Sequence, residues 1–239
     1  MAALLDLGRD DLLILDGNVF PIGLYYCLVG ERDRELADWE GISRILAHHL
    51  RLAEELAERG VAYLGVNKSP RTADLIHQLE LPDQVWADDH QFIAALFRGE
   101  VAKGELGYTN WFVQERYRFH RGHRDPGMDL FRGLRERLRL AREPESYHVA
   151  FFFVYDPRLA DGQGSVLKIE TPLLTLREHD PTELQQAVLA ELARGSGVPN
   201  VLRRADARAR ITQREREALM ALAGLPPDLG YNQGRGEPW

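Results

Sequence analysis

Several acidic residues stand where they could bind a divalent cation. Asp16 closes the short apolar run Leu12-Leu13-Ile14-Leu15 and is followed by Gly17 and Asn18. A carboxylate there is carried on rigid backbone while its head reaches into a cleft, which suits a metal ligand. The same placement suits an Asx-turn that caps the strand. Asp88 and Asp89 are adjacent at the start of an expected helix. Hard cations take oxygen ligands, and a two-metal site draws several carboxylates from different elements. Helix N-capping explains the pair equally well, and nothing in the chain separates Asp88 from Asp89 as a ligand. Asp206 sits in Ala205-Asp206-Ala207-Arg208, on a helix lined by Val201, Leu202, Ala205 and Ala209. It either faces the sheet or pairs with Arg210 four residues on. Asp74 is a weaker candidate, expected at the surface. Lys68 could contact a phosphate oxygen or orient the attacking water, or be a plain surface lysine. Glu170 alternates with Ile169 and is expected on the opposite face of its strand.

Other chemistries find little support. His48-His49, His77, His90, His120 and His123 show no metal-ligand spacing. Gly-rich phosphate loops, a Gly-x-Ser-x-Gly elbow and zinc patterns are all missing. Cys27 is the only cysteine, which excludes an internal disulfide framework. The net charge of −7 argues against non-specific coating of nucleic acid, yet the arginines are clustered. One cluster runs from Arg116 to Arg142 and a second from Arg203 to Arg216. Arginine pairs with phosphate through a planar fork, so Arg71, Arg116, Arg118, Arg121, Arg124, Arg204 and Arg208 are candidate contacts for a nucleic-acid backbone. Glutamates interleave the clusters, and composition alone favours solvated helix faces.

The elements that must position these groups follow from periodicity. Leu12–Leu15 is read as a buried strand and Ile22–Val29 as a neighbouring strand. Apolar spacing predicts a helix over 35–59, stopped by Gly60. Val61–Val66 is the next strand, Ser69-Pro70 opens a short helix to Leu79, and Asp89–Phe97 is a further helix. The stretch 99–126 is expected to be irregular. Asp129–Arg142 reads as an amphipathic helix, Tyr147–Tyr155 and Ser165–Leu174 as a hairpin of strands. Helices then follow over 181–194, 198–210 and 212–223, the last opened by a Thr212/Glu215 capping box. The fold class is α/β, a mixed sheet flanked by helices with a helical C-terminal part. A single domain is expected over 1–225, with a loose tail over 226–239. No run approaches the ~18 apolar residues of a membrane span. The start from Met1 to Asp11 lacks the basic segment of a secretory signal, so a cytoplasmic protein is expected.

Taken in order, these features resemble the NurA nuclease family. Leu15-Asp16-Gly17-Asn18 is similar to the Asp-Gly-Ser that ends the family's first strand. Gly65-Val66-Asn67-Lys68-Ser69-Pro70-Arg71 resembles its Gly-Val-x-Lys-Arg-Ser segment, and Asp88-Asp89 falls where the family has an acid opening a helix. Lys168-Ile169-Glu170-Thr171-Pro172 looks like its Arg-Val-Glu-x-Pro motif. Gly197-Val198-Pro199 with Arg204-Ala205-Asp206 resembles its Gly-Tyr-Pro followed by Ala-His. The resemblance spans about Leu12 to Leu222 and implies a ribonuclease-H-like fold. It also implies Mn2+- or Mg2+-dependent DNA hydrolysis, 5′-end resection or single-strand cleavage in repair or anti-phage defence. A HerA-type hexameric ATPase and a second copy of the chain are the implied partners. The family's first-strand acid maps to Asp16, its middle acid to Asp88 or Asp89, and its C-terminal histidine to Asp206. Two substitutions depart from the family, Asn18 for serine and Asp206 for histidine; the chain before Asp16 is also short. A catalytically weak subunit that guides DNA to the ATPase is the alternative.

Overall fold

The computed structural model describes residues 6–29, 39–68, 70–81, 85–102, 104–117, 129–158, 164–195 and 197–209, with Leu222 beyond them. The chain forms two compact units, Met1–Leu202 and Arg203–Trp239. The first unit is built on a six-stranded mixed sheet. Its strands are β1 (Leu12–Asp16), β2 (Ala62–Lys68), β3 (Gly107–Tyr108), β4 (Phe112–Gln114), β5 (Val149–Asp156) and β6 (Ser165–Pro172). They run in the order β1-β2-β6-β5-β3, with β4 also paired to β5. β1 and β2 are parallel, whereas β6 is antiparallel to both β2 and β5. The mixed sheet with helices packed on it is the α/β architecture expected of a ribonuclease-H-like fold.

Side-chain alternation assigns the two faces. Ala62, Leu64 and Val66 of β2, Leu167 and Ile169 of β6 and Phe152 and Val154 of β5 share one face. Helix α7 (Pro181–Gly195) covers it with Leu184, Val188 and Leu192, spaced one turn apart. Tyr63 and Val149 point to the other face, under α1 (Ile22–Val29), α2 (Trp39–Glu58) and α5 (Leu130–Leu138). Further along that second face, Phe151, Phe153 and Tyr155 of β5 and Val166 of β6 meet Leu75 and Ile93. Those two come from α3 (Asp74–Gln78) and α4 (Asp89–Phe97). Two more helices complete the chain order, α6 (Leu173–Glu178) and α8 (Asn200–Ala209).

Three expectations are corrected by the structure. Ile22–Val29 is helix α1 and not a strand. It does not pair with β1, which stays at the edge of the sheet, and packs as a helix against α2 and α5 over one sheet face. Pro21 opens the turn by accepting from the Leu24 amide at 2.8 Å, and Tyr25 packs edge-on against Phe131. Tertiary packing overrides a weak β-propensity there. The helix expected from Ser69 to Leu79 shrinks to the five residues of α3. The stretch expected to be irregular contributes β3 and β4, two and three residues long, both recruited by the edge of β5. Strands so short carry no readable alternation. The helix over 129–142 keeps its start, since Asp129 caps it by accepting from the Arg132 amide. It ends at Leu138, with Arg139 in the left-handed region. The helix expected over 212–223, apart from Leu222, and the tail over 226–239 lie outside the described residues.

Candidate active site

The carboxyl ends of β1 and β2 lie side by side, the position where α/β sheets bind ligands. Asp16 is the last residue of β1, opposite Val66 in register. The chain then turns: the Gly17 amide donates to the Val66 carbonyl at 2.9 Å, and Gly17 adopts φ 130°. The turn crosses directly over Gly65. A Cβ at Gly65 would lie 2.4 Å from the Gly17 carbonyl oxygen, so glycine is required for this approach. Lys68 Nζ lies 3.1 Å from Asp16 Oδ2, and the Asp16 side chain remains 51 % exposed. Asn67 Nδ2 donates to Asn18 Oδ1 at 3.0 Å and ties the two strand ends together.

By alternation, Asp16 and Lys68 lie on the α7 side of the sheet, while Asn67 lies on the α3/α4 side, opposite Lys168 of β6. On that second side stands a buried charged group. Lys168 is 2 % exposed; its Nζ is 2.6 Å from Asp74 Oδ2 and 2.9 Å from Glu170 Oε1, and it lies 4.5 Å from the centre of the Phe151 ring. Gln114 Nε2 donates to the other Asp74 oxygen at 2.7 Å. Burial alone would push Asp74 upward, but the Lys168 ammonium and the donors Gln114 and Thr72 hold it below the usual carboxylate value. Burial would likewise lower Lys168; Asp74 and Glu170 outweigh it and raise the amine.

Asp88 and Asp89 stand beside this group with distinct hydrogen-bond duties. Asp88 caps α4 by accepting from the Gln91 amide at 2.9 Å, and its other oxygen is 3.4 Å from Arg71. Asp89 is fully buried. It accepts from the amides of Leu75 at 3.1 Å and Ile76 at 3.1 Å, and from the Thr72 hydroxyl at 3.4 Å. It thereby satisfies the first amides of α3, a helix too short to hold itself. Burial, and then the charge of Asp74, push Asp89 up to about 6.

A cleft of about 400 Å³ opens beside Asp74, lined also by His77, Gln78, Gln114, Glu115 and Arg116. Arg71 and Arg116 are exposed near these acids. Arg118, Arg121 and Arg124 lie outside the described residues. Arg204, Asp206 and Arg208 are exposed on the part of α8 that belongs to the second unit. The structure thus brings Lys68 to Asp16, Arg71 to Asp88, and Asp89 to Asp74. Among the described residues, no three His, Cys, Asp or Glu side chains converge as a preformed metal cage. Asp74, expected at the surface, is instead mostly buried against Lys168. In the sequence Lys168 stands out only within the Lys168-Ile169-Glu170-Thr171-Pro172 motif; its alternation with Leu167 and Ile169 is the signal that places it on the same strand face as Glu170.

The model of the NurA domain family matches residues 1–211. This chain belongs to the NurA domain family. NurA proteins are nucleases, metal-dependent in general, that bind DNA and work with HerA. No curated protein and no solved structure gives a match to this NurA-domain chain. Among the described residues, no helix is long and apolar enough to cross a membrane.

Proposed function

We propose that this chain hydrolyses phosphodiester bonds of DNA with Mn2+ or Mg2+ held at the carboxyl ends of β1 and β2. The observation that carries the reading is Asp16, half-exposed on rigid backbone, with Lys68 at 3.1 Å. Its donor chemistry fits a hard divalent cation, because Asp16 is a half-exposed carboxylate and, among the described residues, only one of its oxygens faces a cation, Lys68. A bound cation would lower the pKa of a coordinated water and offset charge on the phosphoryl group. Asp16 would hold the cation, while Lys68, 3.1 Å away, orients Asp16 and would supply positive charge to a phosphate oxygen. On the opposite, α3/α4 face of the sheet, Asp74 offers a separate carboxylate at its own cleft wall, Asp89 fixes the helix that carries it, and Asp88, which caps α4, is a further candidate ligand. Asp206 is a candidate ligand on the resemblance alone. Arg71 and Arg116 take backbone phosphates, and Arg204 and Arg208 are offered by the second unit. The reading includes a HerA-type hexameric ATPase as partner, a homodimer in the cytoplasm, and 5′-end resection in repair or anti-phage defence.

The test is cleavage of labelled single- and double-stranded DNA with Mn2+. Asp16→Ala is expected to reduce the rate by on the order of 10²–10³-fold. Equal rates for the two proteins would reject this site. A second reading, a weakly active subunit that docks on the ATPase and guides DNA, is favoured by the lack of a preformed cage among the described residues. The hydrogen-bond duties of Asp88 and Asp89 favour it too. Calorimetry separates the two: no Mn2+-dependent heat, with ATPase binding retained, supports the docking subunit.

A further inference from the structure

We propose that Lys168 is a positioning residue for the reaction, an internal cation that fixes the Asp74 carboxylate at the cleft wall. The inference rests on the nuclease reading and on the place of Asp74 in it. Lysine is among the residues least often buried, and this one is almost fully enclosed between β6, α3 and the Phe151 ring. Its ammonium is shared by two carboxylates on different elements, Asp74 on α3 and Glu170 on β6. The charges do not balance: one ammonium faces Asp74 and Glu170, with Asp89 a further acid against Asp74. The three N–H donors of the ammonium allow it to serve both carboxylates at once. Here Glu170 holds Lys168 from the sheet side, and Lys168 then presents its charge to Asp74 across the gap between layers. Gln114 takes the second Asp74 oxygen and Asp89 ties down the next two amides, so the carboxylate that borders the cleft is fixed from three directions. Such outer contacts set the orientation of a reacting or ligating group without touching the substrate.

The experiment compares Lys168→Met, Lys168→Arg, Glu170→Gln and the double variant Lys168→Met/Glu170→Gln with the native chain. Metal-free amide exchange is read first. Lys168→Met is expected to speed exchange in the segment 72–78 while the β5–β6 strands stay protected. The cleavage kcat with Mn2+ is expected to fall about 10–100-fold, with KM for DNA little changed. Lys168→Arg, which keeps the charge, is expected to regain most of that loss. The double variant restores the native net charge of the group yet leaves Asp74 without its partner, so it should stay slow. Recovery in the double variant would show that Lys168 merely offsets Glu170, and would overturn the proposal. So would native exchange and kcat in Lys168→Met. If Lys168→Met fails to fold, the proposal stands or falls on Lys168→Arg and the double variant. An inactive Lys168→Met beside a fully active Asp16→Ala would instead break the underlying site assignment. Loss in Asp16→Ala with native behaviour of Lys168→Met would remove only the role of Lys168.

Discussion

Asp16 and Lys168 show how differently two charged side chains can be used in one domain. In the Asp16–Lys68 pair Asp16 is half-exposed to solvent while Lys68 is partly covered, and solvent-screened pairs contribute only ~0–1 kcal/mol to stability. Lys68→Ala should therefore leave the thermal midpoint almost unchanged while slowing Mn2+-dependent cleavage by roughly tenfold or more, if Lys68 orients Asp16 as argued. A parallel loss of midpoint and activity would mean that Lys68 acts only through folding. The buried Lys168 is the reverse case. Removing one partner of a buried ion pair leaves uncompensated charge, at a cost of about 3–5 kcal/mol. Asp16 was legible because it follows an apolar run and precedes a glycine. Asp74 was not, because a lone acid near a short helix looks like any surface residue until a distant strand supplies its cation.

At the scale of elements, the site depends on a turn and a short helix. β1 ends where the chain must cross β2, and Gly65 makes room for that crossing. Gly65→Ala should force the 17–19 turn away from the sheet and cost about 1–3 kcal/mol, read as a lowered denaturant midpoint. The same variant should impair cleavage, since Asp16 precedes the displaced turn. Helix α3 has five residues and needs Asp89 to satisfy its leading amides. Helix α4 begins at its expected residue because Asp88 is a strong cap, and Asp88→Ala should cost about 1 kcal/mol by chemical denaturation. By contrast, α1 was misread as a strand. Its eight residues are apolar nearly throughout, so no periodicity distinguishes helix from strand, and packing of Ile22, Leu24 and Tyr25 against α2 and α5 decided the matter.

For the whole molecule, the buried acids write a pH signature into stability. Asp89 is raised from 3.8 to about 6, first by burial and then by Asp74. A carboxyl whose folded value lies above its unfolded value favours folding when protonated. Its contribution is therefore fully present below about pH 4 and is lost as pH rises to about 6, a change of roughly 3 kcal/mol. Asp74 runs the other way: its folded value is depressed, so its contribution is present above the ordinary carboxylate value and fades as pH falls. Unfolding free energies of the native chain and Asp89→Asn, measured from pH 4 to 7, should show the native chain losing ground to the variant by that amount. A constant difference would contradict the buried, ionisable role of Asp89. Periodicity, turn residues and the order of short motifs were enough to determine an α/β nuclease domain of the NurA family, because those signals are local along the chain. Which acids share a face, which are spent on helix ends and which lysine lies buried among them were decided by strand register and layer packing. Such contacts join residues far apart in the chain, 94 positions for Lys168 and Asp74 and 108 for Thr171 and Tyr63, and no local pattern encodes them.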